Sequence, residues 1–170
     1  MKYAIKTITL FSLSLLLGFN IQAQTACTND GARQLDFMLG DWDFFSKEGE
    51  LLGENNIRLV FGTYMIEENY EGSDGLKTRS VMSYDVENKN WSQIWTDDFG
   101  TTLHFHGKFE NNKLSMKAVS INTNGKKTYH RLTYSKSANG SVSQVWQKSM
   151  NKKDWNMIFR GTFKRQKAVL

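Results

Sequence analysis

The sequence predicts an all-β fold: an antiparallel up-and-down barrel of about ten strands, preceded by a short N-terminal helix. Three observations predict it. From Trp42 onward, segments rich in Thr, Val, Ile and aromatics keep a two-residue apolar period and recur roughly every ten to fourteen residues between Gly, Asn and Asp clusters. The chain contains no proline, so each segment can donate a full ladder of hydrogen bonds. No helical pattern is long enough to cover a sheet face. The strands must therefore stack as two sheets or close on themselves, and closure is favoured because it removes exposed edges.

The elements follow in order. Lys2 and Lys6 precede an apolar run from Ile8 to Phe19 that ends near Ala23, the pattern of a secretory signal peptide over 1–23. The run is about a dozen residues, short of the roughly twenty that a spanning helix needs, so no membrane span is expected. Residues 24–170 are expected to form one domain, secreted or periplasmic after bacterial export. Cys27, the single cysteine, has no internal disulfide partner. Gln24-Thr25-Ala26 lacks the aliphatic residue usual three places before a lipidated cysteine, so lipid anchoring is the lesser expectation.

Asn29 or Asp30 can cap a short helix to about Leu39, with Leu35, Met38 and Leu39 on one side and Gly40 as its stop. Strands are expected at approximately 41–48, 54–61, 63–71, 76–85, 90–97, 101–109, 113–122, 126–135, 141–149 and 155–165. Ser73-Asp74-Gly75, Asn111-Asn112, Asn124-Gly125 and Asn139-Gly140 supply residues that tolerate the positive φ of tight hairpins.

One weak repeat links two parts of the wall. Asn90-Trp91-Ser92-Gln93-Ile94-Trp95 matches Ser143-Gln144-Val145-Trp146. Each is followed by a second matching piece, Phe105-His106-Gly107-Lys108-Phe109 and Phe159-Arg160-Gly161-Thr162-Phe163. Gln and Trp stand two apart in both copies, so in a strand they share one face. If Trp91, Gln93 and Trp95 point inward, the same interior receives Gln144 and Trp146, then Tyr129 and Arg131, then Glu68 and Tyr70. Rings with a few polar groups make the usual wall of a small-molecule site. An inward Arg131 would need Glu68 or an anionic ligand as partner. The alternative is a filled barrel in which Glu68 and Arg131 form a structural pair.

The segment Leu39-Gly40-Asp41-Trp42 resembles the Gly-x-Trp opening of the calycin superfamily of lipocalins, fatty-acid-binding proteins and nitrobindins. The resemblance implies that a basic residue at the end of the last strand, Arg165 or else Arg160, packs over Trp42 and closes the barrel base. The wider pattern is similar to a bacterial secreted domain family of unknown function with a lipocalin-like barrel. The matching pieces are Phe37-Met38-Leu39-Gly40-Asp41-Trp42, Ile66-Glu67-Glu68, Tyr84-Asp85, the Trp91 to Trp95 stretch, Arg131, Ser143-Gln144-Val145-Trp146 and Gly161-Thr162-Phe163-Lys164-Arg165. Heme-binding nitrobindins carry an axial histidine near the C-terminal strands. This chain has none after His130, so heme is not expected, nor is any other cofactor.

Other chemistries find little purchase. His104 and His106 share a strand face but alternate with Leu103 and Phe105, which look buried. They read as exposed strand histidines rather than metal ligands, with His130 a third partner only if its strand were adjacent. Asp97 with Asp98, and Asp41 with Asp43, read as turn and capping residues. There is no nucleophile elbow, phosphate loop or zinc-type cysteine spacing. The formal charge is +5, two units of which lie in Lys2 and Lys6, too mild to imply nucleic acid. Much of the excess falls late, in Lys148, Lys152, Lys153, Arg160, Lys164, Arg165 and Lys167, and reads as a solvated barrel end. The function that follows is a binding protein for a small, largely apolar or aromatic molecule. A calycin-like isomerase or hydratase, with Glu68 as acid or base and Arg131 holding developing charge, is the enzymatic alternative. A filled structural module is the third. No feature fixes the oligomeric state.

Overall fold

Consecutive short strands joined by tight turns can only pair with their sequence neighbours, and here that pairing runs full circle. The computed structural model describes residues 30–62 and 64–167. The expected signal peptide, Cys27 and the capping Asn29 lie outside them. The ten strands are β1 (Gly40–Phe45), β2 (Leu51–Phe61), β3 (Met65–Gly72), β4 (Lys77–Asp85), β5 (Asn90–Asp97), β6 (Thr102–Glu110), β7 (Lys113–Ile121), β8 (Lys127–Lys136), β9 (Val142–Ser149) and β10 (Asn156–Arg165). Each is antiparallel to its neighbours in sequence, and β1 pairs with β10 to close the barrel. The turns use the expected residues: Asn111 and Asn112 have φ of 51° and 59°, and Gly75, Gly125 and Gly140 are also at positive φ. Strand bounds differ most around the first hairpin. Ser46 Oγ accepts from the amides of Glu48 and Glu50, which tightens the turn so that β1 ends early and β2 begins at Leu51.

The expected N-terminal helix is two 3-10 turns, Asp30–Arg33 and Asp36–Met38. Backbone bonds from Met38 to the Leu35 carbonyl and from Leu39 to that of Asp36 wind them tightly. They plug one barrel end. Leu35 and Met38 are buried in the apolar core with Trp42, Ile57, Ile66, Met82, Trp91 and Leu114. Trp42 Nε1 donates to the Met38 carbonyl at 2.8 Å, and Trp91 Nε1 donates to Gln34 Oε1 at 3.1 Å. The guanidinium of Arg165 lies 4.3 Å from the Trp42 ring and donates to the Leu39 carbonyl at 2.9 Å. This is the contact implied for Arg165; Arg160 is exposed on the outer wall. Gly40, at φ 137°, leaves room for that guanidinium, which occupies the place of a β-carbon.

The loops at 46–50, 73–76, 98–101, 122–126 and 150–155 gather at the opposite end, because alternate connections of a meander share an end. No helix among the described residues is long and apolar enough to cross a membrane.

The interior is stiffened by a ring stack on β1 and β10. Phe44 stacks on Phe159 with centroids 4.6 Å apart and planes 13° apart, and its other neighbour Phe163 is at 4.5 Å. The Phe44 ring lies directly over Gly161, where any β-carbon would collide with it. Gly161→Ala is therefore expected to destabilise the fold by about 1–3 kcal/mol, the usual cost of overpacking. Urea unfolding measures this, and an unchanged midpoint would show that the Phe44 ring is free to move aside.

Candidate functional site

The inward faces of the strands, taken from the plugged end to the open one, change from apolar to polar and then to aromatic. The last two layers enclose a cavity of about 300 Å³ that opens among the loops. Tyr70, Trp95, Trp146 and Phe159 form its wall, Asn55, Glu68 and Gln144 stand at its inner end, and Lys148 stands at its mouth. Trp95 meets Trp146 edge to face, with centroids 4.9 Å apart at 81°, an arrangement that leaves ring surface available to a guest. Tyr70 donates its hydroxyl to the Leu52 carbonyl at 2.8 Å, and burial pushes its pKa up to about 12, so it serves the wall as a neutral phenol.

The polar layer centres on Glu68, which is 5% exposed. Glu68 lies opposite Ser80 in the β3–β4 register, and Ser80 Oγ donates to its Oε2 at 2.7 Å. Asn55, opposite Tyr70 and thus one diagonal step away, donates Nδ2 to Oε1 at 2.6 Å. Tyr134 reaches across the lumen from β8 to donate to Oε2 at 3.4 Å. Behind these stand two amides: Gln93 Nε2 donates to Ser80 Oγ at 2.9 Å, and Gln144 Nε2 donates to Tyr134 Oη at 3.1 Å. Donors of the cluster thus converge, directly or through one hydroxyl, on one carboxyl group. Burial pushes the Glu68 pKa up, and the bonds from Ser80, Asn55 and Tyr134 pull against that rise. Burial, with the charge of Glu68 adding to it, also raises the Tyr134 pKa well above that of a free phenol. Two acceptors in the layer, Asn55 Oδ1 and Gln93 Oε1, are buried without a donor.

His130 also lines the cavity. Its Nδ1 accepts from Trp146 Nε1 at 3.3 Å, and an indole N–H can only donate, so the neutral ring carries its proton on Nε2, 3.0 Å from Ser120 Oγ. Burial, then the charge of Lys148, depresses its pKa and favours that neutral form.

Of the residues singled out in the sequence, Glu68, Tyr70, Trp95, Gln144 and Trp146 line the cavity. Gln93 points inward but lies beneath it in the polar layer, and Trp91 lies deeper still against the plug. Tyr129 and Arg131 are a correction, because β8 presents His130, Leu132 and Tyr134 to the interior, one residue out of step with the expectation. Arg131 is on the outer wall, where its Nε donates to Gln147 Oε1 at 2.7 Å and its guanidinium covers the Trp155 ring at 4.2 Å. Lys152 covers Tyr129 in the same way at 4.5 Å. The stretch Tyr129-His130-Arg131 is polar on both faces and marks neither, so the register is set by Leu132. An interior guanidinium would also have lost water for no carboxylate that needs it, since neutral donors already surround Glu68.

Asn55, Ser80, His130, Tyr134 and Lys148 were not among the expected site residues. Parity with Ile57, Met82 and Leu132 was the signal that could have found all of them but Lys148. His104 and His106 are exposed as expected, and no cluster of three or more metal-ligating side chains is present among the described residues. Asp41 pairs with Arg58 at 2.6 Å, Asp97 accepts the amides of Phe99 and Thr101, and Asp98 accepts that of Lys77, so the carboxylate pairs serve turns and pairing. No protein-family model matches this chain, nor does any curated protein sequence match it at a significant level.

The buried carboxyl has a pH signature. With its pKa raised above the ordinary 4.5, folded Glu68 keeps a proton where the unfolded chain has released it, so its contribution to stability falls as pH rises through that window and levels off above it. Glu68→Gln removes the fall. The stability of the variant relative to wild type is expected to rise as the pH increases above 4.5 in urea unfolding, whereas a difference flat with pH would mean an ordinary carboxylate.

Proposed function

We propose that this protein binds a small, largely apolar or aromatic molecule in the lumen of a calycin-like barrel, in the periplasm or outside the cell. The observation that carries the reading is the cavity of about 300 Å³, ring-walled, with few polar groups and open at one end. That volume lies at the lower end of the range for small-molecule sites. The Gly40-Asp41-Trp42 opening with Arg165 over the indole supports the calycin likeness. The export reading rests on the apolar run behind Lys2 and Lys6.

The enzymatic alternative keeps one supporting observation, a buried Glu68 of raised pKa on the cavity surface. It loses its other half, because Arg131 is on the outer wall and holds no charge developing inside. A filled barrel is disfavoured by the cavity itself.

The neutral fluorophore N-phenyl-1-naphthylamine tests the binding reading. It is expected to brighten on binding, and Leu103→Trp, which projects an indole into the cavity opposite Trp95, is expected to weaken it at least about tenfold, or ~1.4 kcal/mol. Arg131→Ala, on the outer wall, is expected to leave the affinity unchanged. No binding, or binding indifferent to Leu103→Trp in a folded variant, counts against a ligand in the lumen.

A further inference from the structure

The inner end of the cavity is rich in acceptors. Glu68 receives hydrogen bonds from neutral groups only, and no basic side chain among the described residues pairs with it. Asn55 must turn Nδ2 to the Glu68 carboxyl group, which leaves its Oδ1 buried with no donor at all. Gln144 must turn Nε2 to Tyr134, because that hydroxyl spends its own hydrogen on Glu68, and so Gln144 presents Oε1 as a further acceptor. The Glu68 carboxyl group and the Gln144 amide oxygen therefore face the space a guest would enter, tied together through Tyr134, with the unmet Asn55 Oδ1 buried beside them.

We infer that the ligand is an aromatic compound bearing a primary amine, an arylalkylamine, held with its ammonium group against Glu68 and Gln144 Oε1 and its ring among Trp95, Trp146 and Phe159. This deepens the binding reading above and rests on it. An ammonium has donors and no acceptor, which suits a carboxyl group beside an amide oxygen, and its charge favours the ionised form of Glu68. A buried ion is tolerated when it is paired and hydrogen-bonded, and here Glu68 supplies the pair and Gln144 Oε1 a further acceptor. The aromatic wall adds attraction for a cation. Lys148 sets the orientation: its charge at the mouth repels a cation left there, so the amine travels inward and the ring follows. The neutral His130, whose two nitrogens are engaged with Trp146 and Ser120, does not compete for Glu68.

Three indoles of nearly equal size isolate the amine: tryptamine, 3-ethylindole and indole-3-acetate, titrated calorimetrically at about pH 7 where the first is a cation, the second neutral and the third an anion. Tryptamine is expected to bind at least ~tenfold more tightly than 3-ethylindole, with indole-3-acetate weakest. In Glu68→Gln the advantage of tryptamine is expected to shrink below ~threefold while 3-ethylindole is unaffected, and Gln144→Leu is expected to reduce it in the same direction. Tryptamine binding no better than 3-ethylindole to the wild-type protein overturns the inference without need of any variant, as does an amine preference that survives Glu68→Gln in a folded protein. If none of the three binds, the inference fails. N-phenyl-1-naphthylamine then separates the two levels: its binding preserves the lumen as an apolar site, and its failure removes that reading too.

Discussion

Closure of the sheet along the seam between β1 and β10 is the constraint on which the rest of the structure depends. It sets Trp42 opposite Arg165 in register, so the guanidinium that covers the indole and the indole that anchors the plug belong to the two ends of the barrel sequence. The plug is short and made of tight turns, and it would have little reason to stay folded alone. Its hold comes from Leu35 and Met38 in the core and from the Trp42 and Trp91 indole hydrogens, each given to an acceptor in the plug. In a barrel so sealed, the cavity opens at the other end. The gradient along its axis, apolar at the base, polar in the middle and aromatic towards the mouth, then becomes a sequence of environments that an entering molecule meets in reverse.

The polar layer is the costly part of the design. A buried hydrogen-bonded network is worth its desolvation only when its members are satisfied, and this one leaves Asn55 Oδ1 and Gln93 Oε1 without donors. Hydrophobic residues at Glu68, Ser80 and Tyr134 would fill a barrel core at lower risk. Unmet acceptors beside a cavity are the kind of local inconsistency that natural sequences tolerate at working sites. The carboxyl group is also placed asymmetrically. Its bonded neighbours come from β2, β4 and β8, and it still lines the cavity.

Much of this was legible in the chain. A period-two pattern with turn residues at fixed spacing is a local property, so the number of strands, their order and the hairpins at Asn111-Asn112 and Gly140 could be read without coordinates. Facing could be read wherever a strand alternates cleanly. Trp91, Gln93 and Trp95 on β5 and Gln144 and Trp146 on β9 turn inward, as their spacing beside one another implies. It could not be read at Tyr129-His130-Arg131, where every residue has a polar end and can sit on either side.

The β meander, its turns and the faces of its clearly alternating strands depend on residues close together in the chain, and so are written in it directly. Which inward residues share a layer is set when the barrel closes. Tyr134 comes to Glu68 from 66 residues away, and Asn55 and Ser80 reach it from the two flanking strands. Such meetings depend on strand tilt, register and the bore of the closed barrel, which no single strand contains. The same closure decided that neutral donors, and not Arg131, would surround the buried carboxyl group. A guanidinium can keep its water on the outer wall, while amides and hydroxyls of the right reach were already inside.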